Sequence, residues 1–304
     1  MIGAPAPPTG SKPRHWIACA DDFAIEESAV DAILELIERG RITATSVLVD
    51  SPLWPAAAQR LQAQLAQRQP GQSLARADVG LHLNLTQAFA ATTSGVWPLA
   101  ELVARCAVRA LPRRLLNAAI EHQLDTFEDA MGRRPDYVDG HQHVHQFAVV
   151  RDALLHVLQR RYTRERPWLR STRVPRGVRD LKARGIAALG DRSLRKLAAA
   201  SHFHTNAYLV GVYDFHADRA AYWQRLKQWL RDGPEASVLM THPALQAPRG
   251  DPLAAARPME FAVLASTQFG ALLAQCQITL TTGTRLFSAS PDDSTTLLQA
   301  RGDR

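Results

Sequence analysis

The chain has 304 residues, 46% hydrophobic and 21% charged, which supports one large domain or two modest ones with a sizeable core and excludes an intrinsically disordered chain. Lys and Arg outnumber Asp and Glu by 36 to 29, a formal charge of +7. The basic residues are nonetheless spread along helical segments, and even "QRRYTRERP" lacks the run of about five like charges that marks a nucleic-acid-binding tail. Cys19, Cys106 and Cys276 are too widely spaced for a CxxC site or a disulfide framework. No apolar signal region opens the chain, and no stretch approaches the roughly 18–20 apolar residues that cross a bilayer. These features predict a soluble, cytoplasmic protein with no nucleic-acid partner and no integral membrane association.

Residues 1–13 are rich in Pro and Gly and are expected to be flexible. "HWIACADD" reads as a strand ending in Asp21 and Asp22. In "EESAVDAILELIERG", Val30, Ile33, Leu34, Leu36 and Ile37 fall at helical spacing before a stop at Gly40. "ITATSVLVD" is rich in β-branched residues and predicts a second strand, and "SPLWPAAAQRLQAQLAQRQ" is helical after its prolines. "ADVGLHLNLT" is a third strand with His82 and Asn84 on one face. From about Gln87 to Arg114 no regular unit fits, which predicts a long functional loop or an inserted helical piece. "LLNAAIEHQLDTFEDAMG" is an amphipathic helix, "PDYVDGHQHVH" begins as a strand, and "VVRDALLHVLQRR" is a helix. Further strands are predicted at "PWLRSTR", "SVLMTH" and "QITLTT", and residues 291–304 form a second flexible tail. This alternation predicts parallel strands covered by helices. About seven such units in a single domain, residues 14–290, favour a closed or nearly closed (β/α) barrel over an open sheet. No G-x-G-x-x-G or P-loop follows the first strand, which weakens a nucleotide-binding reading.

Catalytic groups of such barrels sit where strands end. Asp21 and Asp22 close the first strand, His82 lies in the third, and Asp139 to His145 close the fourth. Arg170 and Arg173 sit on the fifth, and Thr241-His242-Pro243 closes a late one. Singly, each has a plain structural explanation: an aspartate caps a helix, and a strand histidine is a satisfied core residue. "DGHQHVHQF" is harder to dismiss, since it holds three of the chain's 11 histidines. On a strand, His141, His143 and His145 would share a face; on a helical turn, only His141 and His145 would. Clustered imidazoles repel once protonated, so a neutral, metal-bound role is the economical account and a solvated loop the alternative. Polar groups at five strand ends, aimed at one mouth, point to a site.

"ADDFA", "GLHLNLT", "YVDGHQHVHQF", "LRSTRVP" and "THPA", in this order and spacing, resemble the YdjC-like carbohydrate deacetylases, which include chitooligosaccharide deacetylases and deacetylases associated with hopanoid biosynthesis. The resemblance runs from about His15 to Leu286, with Ala24 where the family usually has Gly. It implies a distorted (β/α) barrel similar to the NodB-like polysaccharide deacetylases. The implied reaction is metal-dependent hydrolysis of the N-acetyl group of an amino sugar, on an oligosaccharide or a glycolipid, releasing acetate. The resemblance implies one divalent ion, Mg²⁺ or Zn²⁺, on Asp22, His82 and His141, with His143 and His145 as outer or substrate-binding groups. Two imidazoles and a carboxylate leave positions for water and substrate. Such an ion polarises the acetyl carbonyl and acidifies bound water. Asp21, beside a ligand, is then placed as general base, and His242 to return a proton to the departing amine. Arg170 and Arg173 either orient substrate or pair structurally, and Trp54, Trp97 and Tyr208 either stack on sugar rings or pack in the core. A phosphoesterase-type hydrolase would prefer two metals about 3.5–4 Å apart and more carboxylates than this set offers. A non-catalytic sugar- or metal-binding barrel would have no use for Asp21 and His242 together. The sequence leaves a homodimer open.

Overall fold

The computed structural model describes residues 12–66, 77–89, 95–176, 178, 180–216, 218–247 and 250–288. The segments expected to be flexible, 1–13 and 291–304, lie outside these apart from residues 12 and 13. The described strands are β1 (Arg14–Phe23), β2 (Ala44–Val47), β3 (Asp78–Leu83), β4 (Tyr137–Gly140), β5 (Trp168–Leu169), β6 (Tyr208–Val210), β7 (Ser237–Thr241) and β8 (Ile278–Leu280). Seven run in the order β5-β4-β3-β2-β1-β7-β6, all in parallel, and β8 pairs with the start of β1. Between the ends of this path, Leu169 N donates to His204 O at 2.9 Å and Leu209 N to Arg173 O at 2.8 Å. The sheet is therefore a nearly closed, distorted (β/α) barrel, as expected.

Two-residue alternation explains how the barrel is filled. On β1, Trp16, Ala18 and Ala20 join the larger core under the helices, while Ile17 and Cys19 join a smaller core inside the barrel. Everything from Trp16 to Phe23 is buried, as a strand covered on both faces requires. Strand register layers the inward face. Ile17, Val238 and Leu209 make an apolar floor. Cys19, Ser46 and Tyr137 sit above it, and Asp21, His82 and Asp139 stand at the strands' carboxyl ends.

Outside lie α1 (Glu27–Glu38), α2 (Trp54–Ala66), α3 (Leu99–Ala107), α4 (Arg113–Met131) and α5 (Ala148–Arg161). Of these, α3 resolves the unassigned Gln87–Arg114 segment in favour of a helical insertion. There follow α6 (Leu181–Ala188), α7 (Asp191–Ala200), α8 (Arg219–Asp232), α9 (Ala256–Leu264), α10 (Thr267–Gln275) and α11 (Gly283–Ser288), which the sequence reading left unassigned. No helix among the described residues is long and apolar enough to cross a membrane.

Gly80 marks a tight point inside the barrel. The Tyr137 ring, stacked on Trp168 at 4.3 Å, crosses directly over it, and a Cβ there would lie 2.4 Å from the ring. Gly80→Ala is expected to destabilise the fold by about 1–3 kcal/mol, as overpacking does, read as a lower midpoint in chemical denaturation.

Candidate active site

Strict alternation would send Asp21 inward and Asp22 outward. Asp22 instead has a φ of 64° and Ala24 one of 71°. This left-handed backbone breaks the alternation, so both aspartates line one cavity. Ala24 thus holds an L-residue in a conformation that glycine adopts without steric cost.

The histidine motif takes neither expected form. β4 ends at Gly140, and a 3-10 turn over His141–Gln146 follows, with Gln142 at φ 52° and His143 at φ 61°. These reversals send the imidazoles in different directions. His141 and His143 line the cavity. His145 turns into the interior, fully buried, with Nε2 2.8 Å from the Arg170 carbonyl.

The cavity, about 690 Å³, also receives His82, His242 and Arg257, with Phe147, Ile186, Leu189, Val212 and Phe215 forming apolar walls. Asp22 Oδ1 lies 3.0 Å from His141 Nδ1 and 3.4 Å from His82 Nε2. Its other oxygen accepts from Arg257 Nη2 at 2.8 Å. The His82 ring is set from behind, with Nδ1 2.7 Å from Asp139 Oδ1. Asp21 is bound by Arg170 through both oxygens, each at 2.6 Å, and its Oδ2 is 4.0 Å from His242 Nε2.

These contacts set the protonation states. Burial would raise the Asp22 carboxyl, but Arg257 and His141 hold it well below the usual range. Burial likewise opposes ionisation of Asp21, and the Arg170 fork outweighs it. At His82, burial favours the neutral ring, yet Asp139, Asp22 and Asp21 push the value up to about 10. Burial brings His242 down to about 4 despite the two aspartates, so this ring is neutral at pH 7.

The donor set fits a divalent cation. One ligand atom from each of Asp22, His82 and His141 lies within 4.8 Å of the others. Asp21, His82 and Asp139 also meet that criterion, but Asp21 is committed to Arg170, and Asp139 to Arg170, Ser46 and the far side of His82. Arg257 also pairs with Asp251. Asp21, Asp22, Asp139 and Asp251 against two guanidiniums leave two uncompensated negative charges, and these also account for the high His82 value. The carboxylate–imidazole pair behind His82 is the arrangement that orients a metal-binding histidine.

Three expected substrate groups are not brought to the cavity. Arg170 is fully buried with both terminal nitrogens engaged by carboxylates, so it braces the site and does not meet solvent. Arg173 lies over the Tyr208 ring at 4.7 Å, and His145 braces Arg170. Of the aromatic candidates, Trp54 is buried beside Phe127, Trp97 packs on the core, and Tyr208 carries Arg173. Among the described residues, the phenyl rings lining the cavity are those of Phe147 and Phe215. The sequence reading missed Arg257, 235 residues from its partner, for which no local signal exists. It also gave Asp139 no role, although Asp139 sits two residues before His141 and opposite His82 in register.

The barrel and this site define a known class. The family model described as YdjC-like protein matches residues 16–275, and the chain belongs to that family. Among its relatives, the chitooligosaccharide deacetylase of Escherichia fergusonii is 29% identical over 145 residues, 44% of this chain and 51% of that protein. The carbohydrate deacetylase of Homo sapiens is 32% identical over 164 residues, 49% of this chain and 47% of that protein. The chain thus spans about half the length of the curated relatives it matches. A solved structure from Enterococcus faecalis V583 shares the fold, with a TM-score of 0.66 at 19% identity over 91% of this chain and all of the other.

Asp139→Asn removes the charge behind His82 while keeping the size of the side chain. It is expected to weaken Zn²⁺ binding by about 10–100-fold, measured by competition with a chromophoric chelator.

Proposed function

We propose that this protein is a metal-dependent carbohydrate N-deacetylase that hydrolyses the N-acetyl group of an amino sugar and releases acetate. The observation that carries the reading is one cavity in which a two-imidazole, one-carboxylate donor set adjoins a separately braced carboxylate, Asp21, and a neutral imidazole, His242. The names of the relatives agree with it. The cavity volume, about 690 Å³, lies within the range of about 300–1,000 Å³ typical of small-ligand sites.

Asp22, His82 and His141 would hold the ion, which supplies polarisation of the acetyl carbonyl and a more acidic bound water. Asp21 is ionised at all neutral pH values and aimed by Arg170, so it accepts the water's proton as the hydroxyl adds to the acyl carbon. The fork weakens Asp21 as a base but holds its position. His242 is a neutral imidazole at pH 7, with one bare ring nitrogen, so the proton it delivers to the amine must be collected within the cycle. Asp21, 4.0 Å away, is the source. The C–N bond breaks, the proton taken from water leaves on the amine, and the acetic acid released gives up its remaining proton to become acetate. Cys19, Cys106 and Cys276 are all free, which suits the reducing cytoplasm we infer as its location.

The test is acetate release from N-acetylated sugars, from monomer to oligomer to lipid-linked, after chelation and add-back of Mg²⁺ or Zn²⁺. Activity is expected to vanish on chelation and return with metal. His82→Ala and His141→Ala are expected to lose bound metal and turnover while keeping the fold by circular dichroism; full metal occupancy in both would refute the ligand set.

Asp21→Asn separates an enzyme from a binding protein. It is expected to retain metal, to lower the melting temperature because Arg170 loses one of its two carboxylate partners, and to lose about 10²–10⁴-fold in kcat, because an amide cannot accept the proton. Were Asp21 only a structural partner of Arg170, the folded variant would keep kcat within about threefold of the parent.

A further inference from the structure

We propose that Ser46 is a positioning residue that couples the general base to the metal ligands, an inference that rests on the deacetylase reading. Ser46 is fully buried on the inward side of β2 and is not itself part of the cavity lining. Its Oγ lies 2.6 Å from Asp139 Oδ2, 3.3 Å from Asp21 Oδ1, 2.8 Å from the Tyr137 hydroxyl and 3.1 Å from Arg170 Nη2.

Counting protons gives this junction a direction. Ionised carboxylates only accept, so the single Ser46 proton goes to Asp139, the nearer carboxylate. Arg170 Nη2 has two protons, and Asp21 Oδ1 and Asp139 Oδ2, each at 2.6 Å, take both. The Tyr137 hydroxyl therefore donates to Ser46. The Cys19 sulfur lies 3.0 Å from the Tyr137 hydroxyl and 3.5 Å from Asp21 Oδ1. A directed chain runs from Tyr137 through Ser46 to Asp139. The other Asp139 oxygen takes the Nδ1 proton of His82, which leaves Nε2 facing Asp22.

Without the Ser46 hydroxyl, Asp139 Oδ2 keeps only the Arg170 nitrogen that it shares with Asp21. Asp139 can then rotate, taking the His82 orientation with it, and Arg170 can shift between the two carboxylates. One small side chain thus sets the ligand ring and the base together.

The test uses the full chain as Ser46→Ala, Tyr137→Phe, Asp139→Asn and the Ser46→Ala/Asp139→Asn double variant. Zn²⁺ affinity, melting temperature without metal, and kcat and KM for acetate release are measured on each. Ser46→Ala is expected to bind Zn²⁺ about tenfold more weakly, with kcat lowered and KM unchanged. Tyr137→Phe should shift both in the same direction by less, because it leaves the serine proton in place. The double variant should lose little more than Asp139→Asn alone, since both changes break the same hydrogen bond.

Parent-like Zn²⁺ affinity in Ser46→Ala, or losses that add in full, would overturn the inference. A purely structural serine would lower the melting temperature and leave affinity unmoved. If Ser46→Ala does not fold, parent-like affinity in Tyr137→Phe overturns it equally. A parent protein that binds metal but releases no acetate from any acetylated sugar defeats the deacetylase reading instead, and the affinity comparison still decides the role of Ser46 in holding the ligands.

Discussion

A guanidinium enclosed at the end of β5 governs the interior of this barrel. Arg170 has no solvent exposure, and a charge so placed is tolerated only when paired and hydrogen-bonded. Asp21 and Asp139 supply that pairing from β1 and β4. Removing one partner of such a buried group typically costs about 3–5 kcal/mol. The strands around it carry short inward side chains, and its Nη2 lies 2.9 Å from the Cys19 sulfur and 3.1 Å from the Ser46 hydroxyl. Arginine is suited to the task because its planar fork meets a carboxylate with two parallel bonds, which fixes orientation as well as charge.

A second guanidinium works from the opposite side. Arg257, carried by α9, caps Asp22 Oδ2 and leaves Oδ1 toward both imidazoles. Asp21 and Asp22 are chain neighbours, yet each is held by its own arginine. The reversed backbone at Asp22 makes this separation feasible by turning the second carboxylate into the cavity on its own trajectory.

Much of the architecture was legible in the sequence because burial on a regular element leaves a period. β1, β2, β3, α1 and α4 follow their apolar patterns closely, and Asp21, Asp22 and His82 line one cavity. β6 has three residues, too few to show alternation. α8 did leave a signal that the reading passed over: Asp218 caps it, and Tyr222, Leu226 and Leu230 share its buried face. The directions of His141, His143 and His145 could not be read, because periodicity presumes a regular backbone and the turn has two left-handed residues. Arg170 and Arg173 look alike in sequence, and only strand register decides that one points into the barrel while the other meets Tyr208. Arg257 and Ser46 depend on contacts between distant segments, which one sequence does not encode locally.

On the two loops that carry Asp22 and His141, four residues, Asp22, Ala24, Gln142 and His143, hold left-handed backbone without being glycine. Each such residue carries roughly 1–2 kcal/mol of steric cost. An engineer seeking a hardier protein would start there, since glycine at Ala24 or Gln142 relieves that cost directly. The same replacement returns torsional freedom to the two loops that aim Asp22 and His141, and sites of this kind work only when held to a fraction of an ångström. Heat tolerance and precision are therefore opposed at these four positions, and hardening is better sought on the outer helices, where the chain is regular and the site is not touched.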